Sequence, residues 1–242
     1  MIKMFTEVDS PKLVVQDIPM IEDFLKPRVV PGRRFYFPLV KVSPQLMPLW
    51  QQKIKRGMDI FISVFGIILL SPVFAITTIG VKLTSKGPVL FRQQRIGMNG
   101  KPFEMIKFRT MFVDAEKNGP QLSSKDDPRI TSFGKLIRKV RMDEIPQLFT
   151  VLTGTMSLVG PRPEREYYIE QIVEKTPHYL VMLKVKPGLT SWGQIKYGYA
   201  ENISQMVERL RFDMDYMEKM SIMTDLKVLF HTVIVVFQAS GR

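Results

Sequence analysis

The feature that most constrains this chain is an uncharged run from Ile60 through Val81, roughly 22 residues, which as a helix is long enough to reach across a bilayer. Ser71-Pro72 falls at its centre, where proline deletes a backbone hydrogen bond and bends a helix. Basic residues stand at both ends, Lys53, Lys55 and Arg56 before it and Lys82 and Lys86 after it. Because positive charge collects on the cytoplasmic side of membrane segments, a run with two basic ends is best satisfied by entering and leaving on that side. The expectation is a re-entrant segment over 57–83, broken at Ser71 and Pro72. There the Ser71 hydroxyl could bond a carbonyl freed by the kink. The alternatives are a transmembrane helix that tolerates its proline, or a buried helix of a soluble core.

The rest of the composition narrows the partners. The 242 residues carry a net charge of +12, which calls for a polyanion: nucleic acid, anionic headgroups or a phosphorylated substrate. The chain has no cysteine and only two histidines, His178 and His231, far apart in sequence. Disulfides and thiolate metal sites are therefore excluded, and a histidine-rich zinc site is not expected. Residues 1–52 hold prolines at Pro11, Pro19, Pro27, Pro31, Pro38, Pro44 and Pro48, so they read as an irregular arm or linker. Residues 53–242 read as one domain.

Within that domain, Val89–Ile96 leads through Gly97-Met98-Asn99-Gly100 into Pro102–Phe112, and Asn-Gly is a strong hairpin-turn signal. Period-two alternation places Phe103, Met105, Lys107, Arg109 and Met111 on one face of the return strand. Asp114–Pro128 reads as a polar loop and Phe133–Val140 as a short basic helix. Asp143-Glu144-Ile145-Pro146 opens a further helix that stops at Gly154. Asn202 starts another with Ile203, Met206, Val207, Leu210, Met214 and Met217 at helical spacing, and Ile222–Phe237 suits a helix against membrane or core. The fold class expected is α+β: a mostly helical, monotopic membrane protein with a re-entrant broken helix and a small β-hairpin.

Two carboxylates lead the chemical candidates. Asp143 and Glu144 are neighbours on a helical turn, so their side chains diverge and can take different roles. An ionised aspartate can attack phosphorus, and a glutamate beside it can hold Mg²⁺. Taken alone, Asp143 reads more simply as a helix cap. Lys107 and Arg109 would form a two-pronged cation matched to a pyrophosphate. Arg162, set between Pro161 and Pro163, has a pre-ordered backbone and so loses less entropy on binding a phosphate. Arg138 and Arg141 could neutralise charge near the carboxylates or merely coat a basic helix. On a membrane-attached chain this set suits metal-assisted phosphoryl transfer, which needs positioning and charge neutralisation.

From about Lys53 to Phe237 the chain resembles the bacterial sugar transferases, monotopic polyprenyl-phosphate phosphoglycosyl transferases. The resemblance rests on seven stretches in order: Lys55-Arg56-Gly57-Met58-Asp59-Ile60, Ser71-Pro72, Lys107-Phe108-Arg109-Thr110-Met111, Asp127-Pro128-Arg129-Ile130-Thr131, Asp143-Glu144-Ile145-Pro146-Gln147, Gly160-Pro161-Arg162-Pro163 and Lys186-Pro187-Gly188-Leu189-Thr190. It implies that Asp143 attacks the β-phosphate of a UDP-sugar and expels UMP, and that undecaprenyl phosphate then takes the phosphosugar from the aspartate. Glu144 would sit with Mg²⁺, and Lys107, Arg138 and Arg162 would hold phosphate or nucleotide. The implied place is the cytoplasmic face of a bacterial inner membrane, at the first membrane step of exopolysaccharide, O-antigen or glycoprotein glycan synthesis. Membrane lipid is then a partner, nucleic acid is not, and a homodimer is left open.

Larger members of that family carry four transmembrane helices and a Rossmann-like domain ahead of this core. Met47-Pro48-Leu49-Trp50-Gln51-Gln52 resembles the linker after such a domain, so the chain reads as a short form, a split gene product or a truncated one. Arg162 is followed by Pro163-Glu164-Arg165, a variant more common in the larger members, and Ser191 stands where glycine is frequent. Neither departure touches the chemistry, but the sugar stays open. The competing readings are a basic membrane-surface assembly factor and a nucleic-acid binder; the long apolar run has no use in the latter.

Overall fold

A helix of 21 residues, α1 (Leu49–Leu69), meets a helix of 14, α2 (Ser71–Thr84), at a bend of 62°. The cause is local. Pro72 lies in the first turn of α2, a position that needs no amide hydrogen, and Leu70 between the helices leaves helical geometry at φ −90°, ψ 5°. As expected, the Ser71 hydroxyl takes up a freed carbonyl, donating to Ile68 O at 2.8 Å. The computed structural model describes residues 46–117, 119–123 and 127–237. Among them no single helix is long and apolar enough to cross a membrane, whereas this bent pair is by length and composition. Most of the arm expected over 1–52 lies outside the described residues. Its expected end at 52 falls inside α1, because Pro48 is accommodated at the helix start and Leu49–Gln52 continue into the helix.

The Lys55–Asp59 stretch anchors α1 to the rest of the domain. Lys55 Nζ bonds Asp225 at 2.6 Å and the Val159 carbonyl at 2.8 Å. Arg56 donates to the carbonyls of Val151 and Leu152, both at 2.7 Å, and so closes the free C-terminal end of a neighbouring helix. Asp59, buried, accepts from the Leu158 amide and the Ser157 hydroxyl.

After α2 comes the hairpin, β1 (Leu90–Ile96) and β2 (Pro102–Phe108), antiparallel with Leu90 opposite Phe108 and Ile96 opposite Pro102. Asn99 sits at φ 60° in the turn, the left-handed conformation that asparagine tolerates. The return strand is shorter than expected. It ends at Phe108, and Met111 instead makes an isolated bridge to Ile130. α3 (Ser132–Lys139) is capped by Thr131, whose hydroxyl accepts from the Gly134 amide at 3.0 Å. Gly134 is needed there, since a Cβ would stand 2.2 Å from the Thr110 carbonyl.

A 3₁₀ turn (Met142–Glu144) precedes α4 (Gln147–Thr153), which stops at Gly154, φ 89°. Asp143 therefore does not begin the α-helix: Pro146 stands at its cap position and no side chain caps it. β3 (Ser157–Val159) pairs in parallel with β4 (Gly188–Thr190). Between them run α5 (Glu166–Lys175) and 3₁₀ turns over Pro177–Lys184. The chain ends with α6 (Trp192–Lys196), α7 (Ile203–Glu218) and α8 (Ile222–Phe237). Asn202 caps α7 by accepting from the Gln205 amide, but Gln205 reaches back to the Glu201 amide, so the capping box is displaced by one residue.

The larger core joins Val151, Met156, Leu158, Ile172, Tyr179, Leu210, Tyr216, Met217 and Val228. A smaller one, Val81, Phe108 and Ile137, ties α2 to the hairpin and α3. Outside both cores the bent pair turns Phe61, Phe65, Ile68, Leu69, Ile76, Ile79 and Leu83 to the surface, and α8 turns out Met223, Leu226, Phe230 and Val233. The fold is mixed helix with a bent helix pair and a β-hairpin, as the sequence predicted, and with a second small sheet, β3–β4, that was not expected from the sequence.

Candidate active site

The site is built where β2, the turn before α4, and the loop after β3 converge. Two proline–glycine stretches fix the last of these. The Gly160 amide donates to the Thr190 carbonyl, and the Gly188 amide donates to the Pro161 carbonyl. The strands stand so close that a Cβ on Gly188 would lie 2.2 Å from the Gly160 nitrogen. Gly160-Pro161-Arg162-Pro163 and Lys186-Pro187-Gly188 are thus two sides of one contact, and it holds the backbone that carries Arg162.

Asp143 is buried. Loss of solvent, and then the neighbouring Glu144 charge, push its carboxyl up to about 6, while Lys107, Arg138 and Arg141 hold it from rising further. Burial would also raise Glu144, but Arg162, Arg141 and Lys107 outweigh it and leave Glu144 below the usual carboxylate range. Its oxygens lie 3.6 Å from Arg162 Nη1 and 3.5 Å from Arg141 Nη1. The two carboxylates therefore sit in one cluster, with Lys107 the strongest cationic influence on Asp143 and Arg162 the strongest on Glu144.

Lys107, on β2, is brought to this cluster. Burial and the nearby Arg95 and Arg162 charges depress its ammonium to about 8, against the pull of Glu144 and Asp143. Arg138, whose charge acts on Asp143, is held in place by donating to Thr110 Oγ1 at 2.7 Å and Ser123 Oγ at 3.0 Å. Arg141 occupies a left-handed conformation, φ 55°, a strained state for a non-glycine residue that the surrounding structure must enforce.

Arg109 does not join Lys107 as the second prong of a cation. Its guanidinium is committed to the carbonyls of Ser85 at 2.8 Å and Lys86 at 3.1 Å, because β2 has ended and the side chain turns back under the exit of α2. Ser71 and Pro72 form the helix break and make no ion pair with the charged cluster.

Sequence reasoning missed the buried network of Arg95, Glu164, Arg209 and Asp213. Arg95, on β1, is buried; it donates to Glu164 Oε2 at 3.1 Å and to the Pro163 carbonyl at 3.2 Å. Glu164 also accepts from Arg209 at 2.5 Å, and Asp213 on the same face of α7 accepts from the Gly193 amide at 2.9 Å. One signal was present: Arg209 and Asp213 fall on the apolar stripe of α7 beside Leu210 and Met214, at i, i+4 spacing.

Five cations, Arg95, Lys107, Arg138, Arg141 and Arg162, thus face three carboxylates, Asp143, Glu144 and Glu164. Such a surplus of buried positive charge calls for a further anion. The donor set also bears on Mg²⁺. No cluster of three or more metal-ligating side chains exists among the described residues. One or two carboxylates with the remaining oxygens from substrate phosphate and water are the usual Mg²⁺ environment, so Glu144 fits that group and a closed protein cage does not.

Residues 50–239 match the family described as bacterial sugar transferase. A UDP-N-acetylgalactosamine-undecaprenyl-phosphate N-acetylgalactosaminephosphotransferase of Aeromonas hydrophila is 39% identical over 188 residues, 78% of this chain and 44% of that protein. A UDP-glucose:undecaprenyl-phosphate glucose-1-phosphate transferase of Escherichia coli K12 is 41% identical over 182 residues, 74% of this chain and 39% of that protein. One of the same name from Caulobacter vibrioides is 36% identical over 183 residues, 74% of this chain and 68% of that protein. The chain thus spans less than half the length of the first two relatives.

Proposed function

The chain belongs to the bacterial sugar transferase family, and from that premise we propose that it transfers a sugar phosphate from a UDP-sugar to undecaprenyl phosphate, with Asp143 as nucleophile. The observation that carries this reading is a buried aspartate facing a surplus of cations. Asp143 Oδ forms a bond to the β-phosphorus, and the bond from that phosphorus to the bridging oxygen breaks, so the oxygen leaves with UMP. A phosphate oxygen of the dianionic acceptor then attacks the same phosphorus and the Asp143 carboxylate leaves. Charge is conserved in the second step without a proton transfer.

Each neighbour has a task set by its place. Lys107 and Arg162 hold the donor's diphosphate as charge moves to the leaving oxygen. Arg138, braced by Thr110 and Ser123, keeps positive charge beside Asp143, so the carboxylate stays ionised despite burial. Glu144 would hold Mg²⁺, which when bound neutralises phosphate charge. Arg109 has a structural task, tying the end of α2 to the hairpin.

The exposed apolar faces of α1, α2 and α8 support attachment to the cytoplasmic face of the inner membrane, with the bent pair entering and leaving on one side. A donor from water and an acceptor phosphate at headgroup level then meet at one plane. The sugar is not specified by these residues.

UMP release from a panel of UDP-sugars tests the proposal. The expected result is Mg²⁺-dependent release that Asp143→Asn lowers by about three orders of magnitude or more, as for loss of a covalent nucleophile. Full activity in Asp143→Asn would overturn it, and a chain that binds lipid yet releases no UMP from any donor would favour the assembly-factor reading.

A further inference from the structure

Next to the charged cluster the chain forms a cavity of about 220 Å³. Its apolar walls include Leu70 from the helix break, Leu148 from α4, Leu189 from β4, and Leu229 and Val235 from α8. Of the polar lining residues, Thr190 and Thr232 bond each other at 2.8 Å, Thr232 also bonds the Val228 carbonyl, and Gln194 keeps a buried side-chain oxygen without a partner. The charged lining residues are Arg141 and Glu144. Leu69, Val233 and Ile234, adjacent in sequence to wall residues, are 62%, 52% and 37% exposed. The cavity thus lies between the charged pair Arg141 and Glu144 and the helix break and α8, the elements that carry much of the exposed apolar surface. An apolar cavity of about 150 Å³ suffices to hold benzene, so this one accommodates a branched hydrocarbon segment.

Resting on the transferase reading, we propose that this cavity seats the first isoprene units of the polyprenyl phosphate acceptor and sets its phosphate at Arg141, beside Asp143. The complementarity is specific to that chemistry. A nucleoside diphosphate is polar along its length and has no use for Leu148, Leu189 or Leu229; it matches Lys107 and Arg162 instead. A phosphate monoester on an unsaturated hydrocarbon needs one guanidinium at the end of an apolar slot, which is what Arg141 and these walls provide. The strained backbone of Arg141 then has a purpose, since it turns the guanidinium between Glu144 and the slot. Donor and acceptor thereby reach Asp143 by way of different cations, and the two can succeed each other on one nucleophile.

The test is photolabelling of the full chain in nanodiscs of phosphatidylethanolamine and phosphatidylglycerol. The probe is a polyprenyl phosphate with a diazirine on an isoprene unit near the phosphate. Label is expected on peptides containing Leu148, Leu189 and Leu229, competed by unlabelled polyprenyl phosphate but not by the corresponding alcohol or by added phosphatidylglycerol. Leu229→Trp and Leu189→Trp, which fill the slot, should cut labelling and raise the acceptor KM by roughly tenfold or more, equivalent to about 1.4 kcal/mol. Their thermal midpoints should stay near that of the unaltered chain, which shows that they fold. Label outside the slot, equal competition by phosphatidylglycerol, or indifference to both tryptophans overturns the assignment. Labelling needs no turnover, so a chain that labelled as described but released no UMP would lose the transferase reading and not the lipid site.

Discussion

At the scale of single residues, burial and charge act against each other, and the cations decide. Asp143 is withdrawn from water, which disfavours its charge, yet Lys107, Arg138 and Arg141 keep it ionised near neutral pH. Glu164 shows the same balance in a supporting role, locked between Arg95 and Arg209. Removing one partner of a buried charged network leaves the others uncompensated, at about 3–5 kcal/mol. Glu164→Ala should lose stability of that order in denaturant unfolding, with donor binding weakened as well because Arg162 lies next to it. A loss under 1 kcal/mol would mean that the two arginines find other partners. Asp143, Glu144, Lys107, Arg138 and Arg162 were singled out in the sequence through the motifs they belong to or stand near, and the structure brings them into one cluster. Arg95 and Glu164 were not, because each is one charged residue in an ordinary stretch whose partner is about 70 positions away and appears only on folding.

At the scale of elements, the helix break was legible since proline acts on its own neighbourhood. The Lys55–Asp59 stretch was not, because its partners, Val151, Val159 and Asp225, come from three distant elements. Replacing Ser71-Pro72 by Leu-Leu restores a helical amide and removes the hydroxyl clamp on Ile68. The account predicts that cysteines at positions 53 and 86 are labelled from the same side of a vesicle in the unaltered chain, and less uniformly in the Leu-Leu variant. Labelling of the unaltered chain from opposite sides would contradict the hairpin. The loop before α3 has an acid-sensitive clasp. Asp127 accepts from Arg129 at 2.6 and 2.8 Å, and these bonds hold its carboxyl well below the usual carboxylate range. A depressed folded value adds stability that is present above the unfolded value of about 4 and lost as pH falls toward the folded one. Asp127→Asn should therefore be less stable than the unaltered chain at neutral pH, and the gap should narrow below pH 4. A gap in thermal midpoint that stays constant with pH would show that the clasp is not ionic.

For the whole molecule, the net charge of +12 and the exposed apolar residues of α1, α2 and α8 are what the proposed attachment to an anionic membrane surface would use. The class, the bent pair, the hairpin and the last two helices followed from local patterns, whereas β3, α5, β4 and α6, and the convergence of β2, the turn before α4 and the loop after β3, depend on contacts far apart in sequence. The central claim is that Asp143 becomes covalently loaded. Intact mass spectrometry of the full chain, incubated with Mg²⁺ and its UDP-sugar but no acceptor, reads this directly. The account predicts one UMP released per chain and a matching gain of one sugar phosphate, located on Asp143, absent in Asp143→Asn and discharged by adding undecaprenyl phosphate. UMP release that appears only when acceptor is present, with no mass gain on the protein, would contradict it.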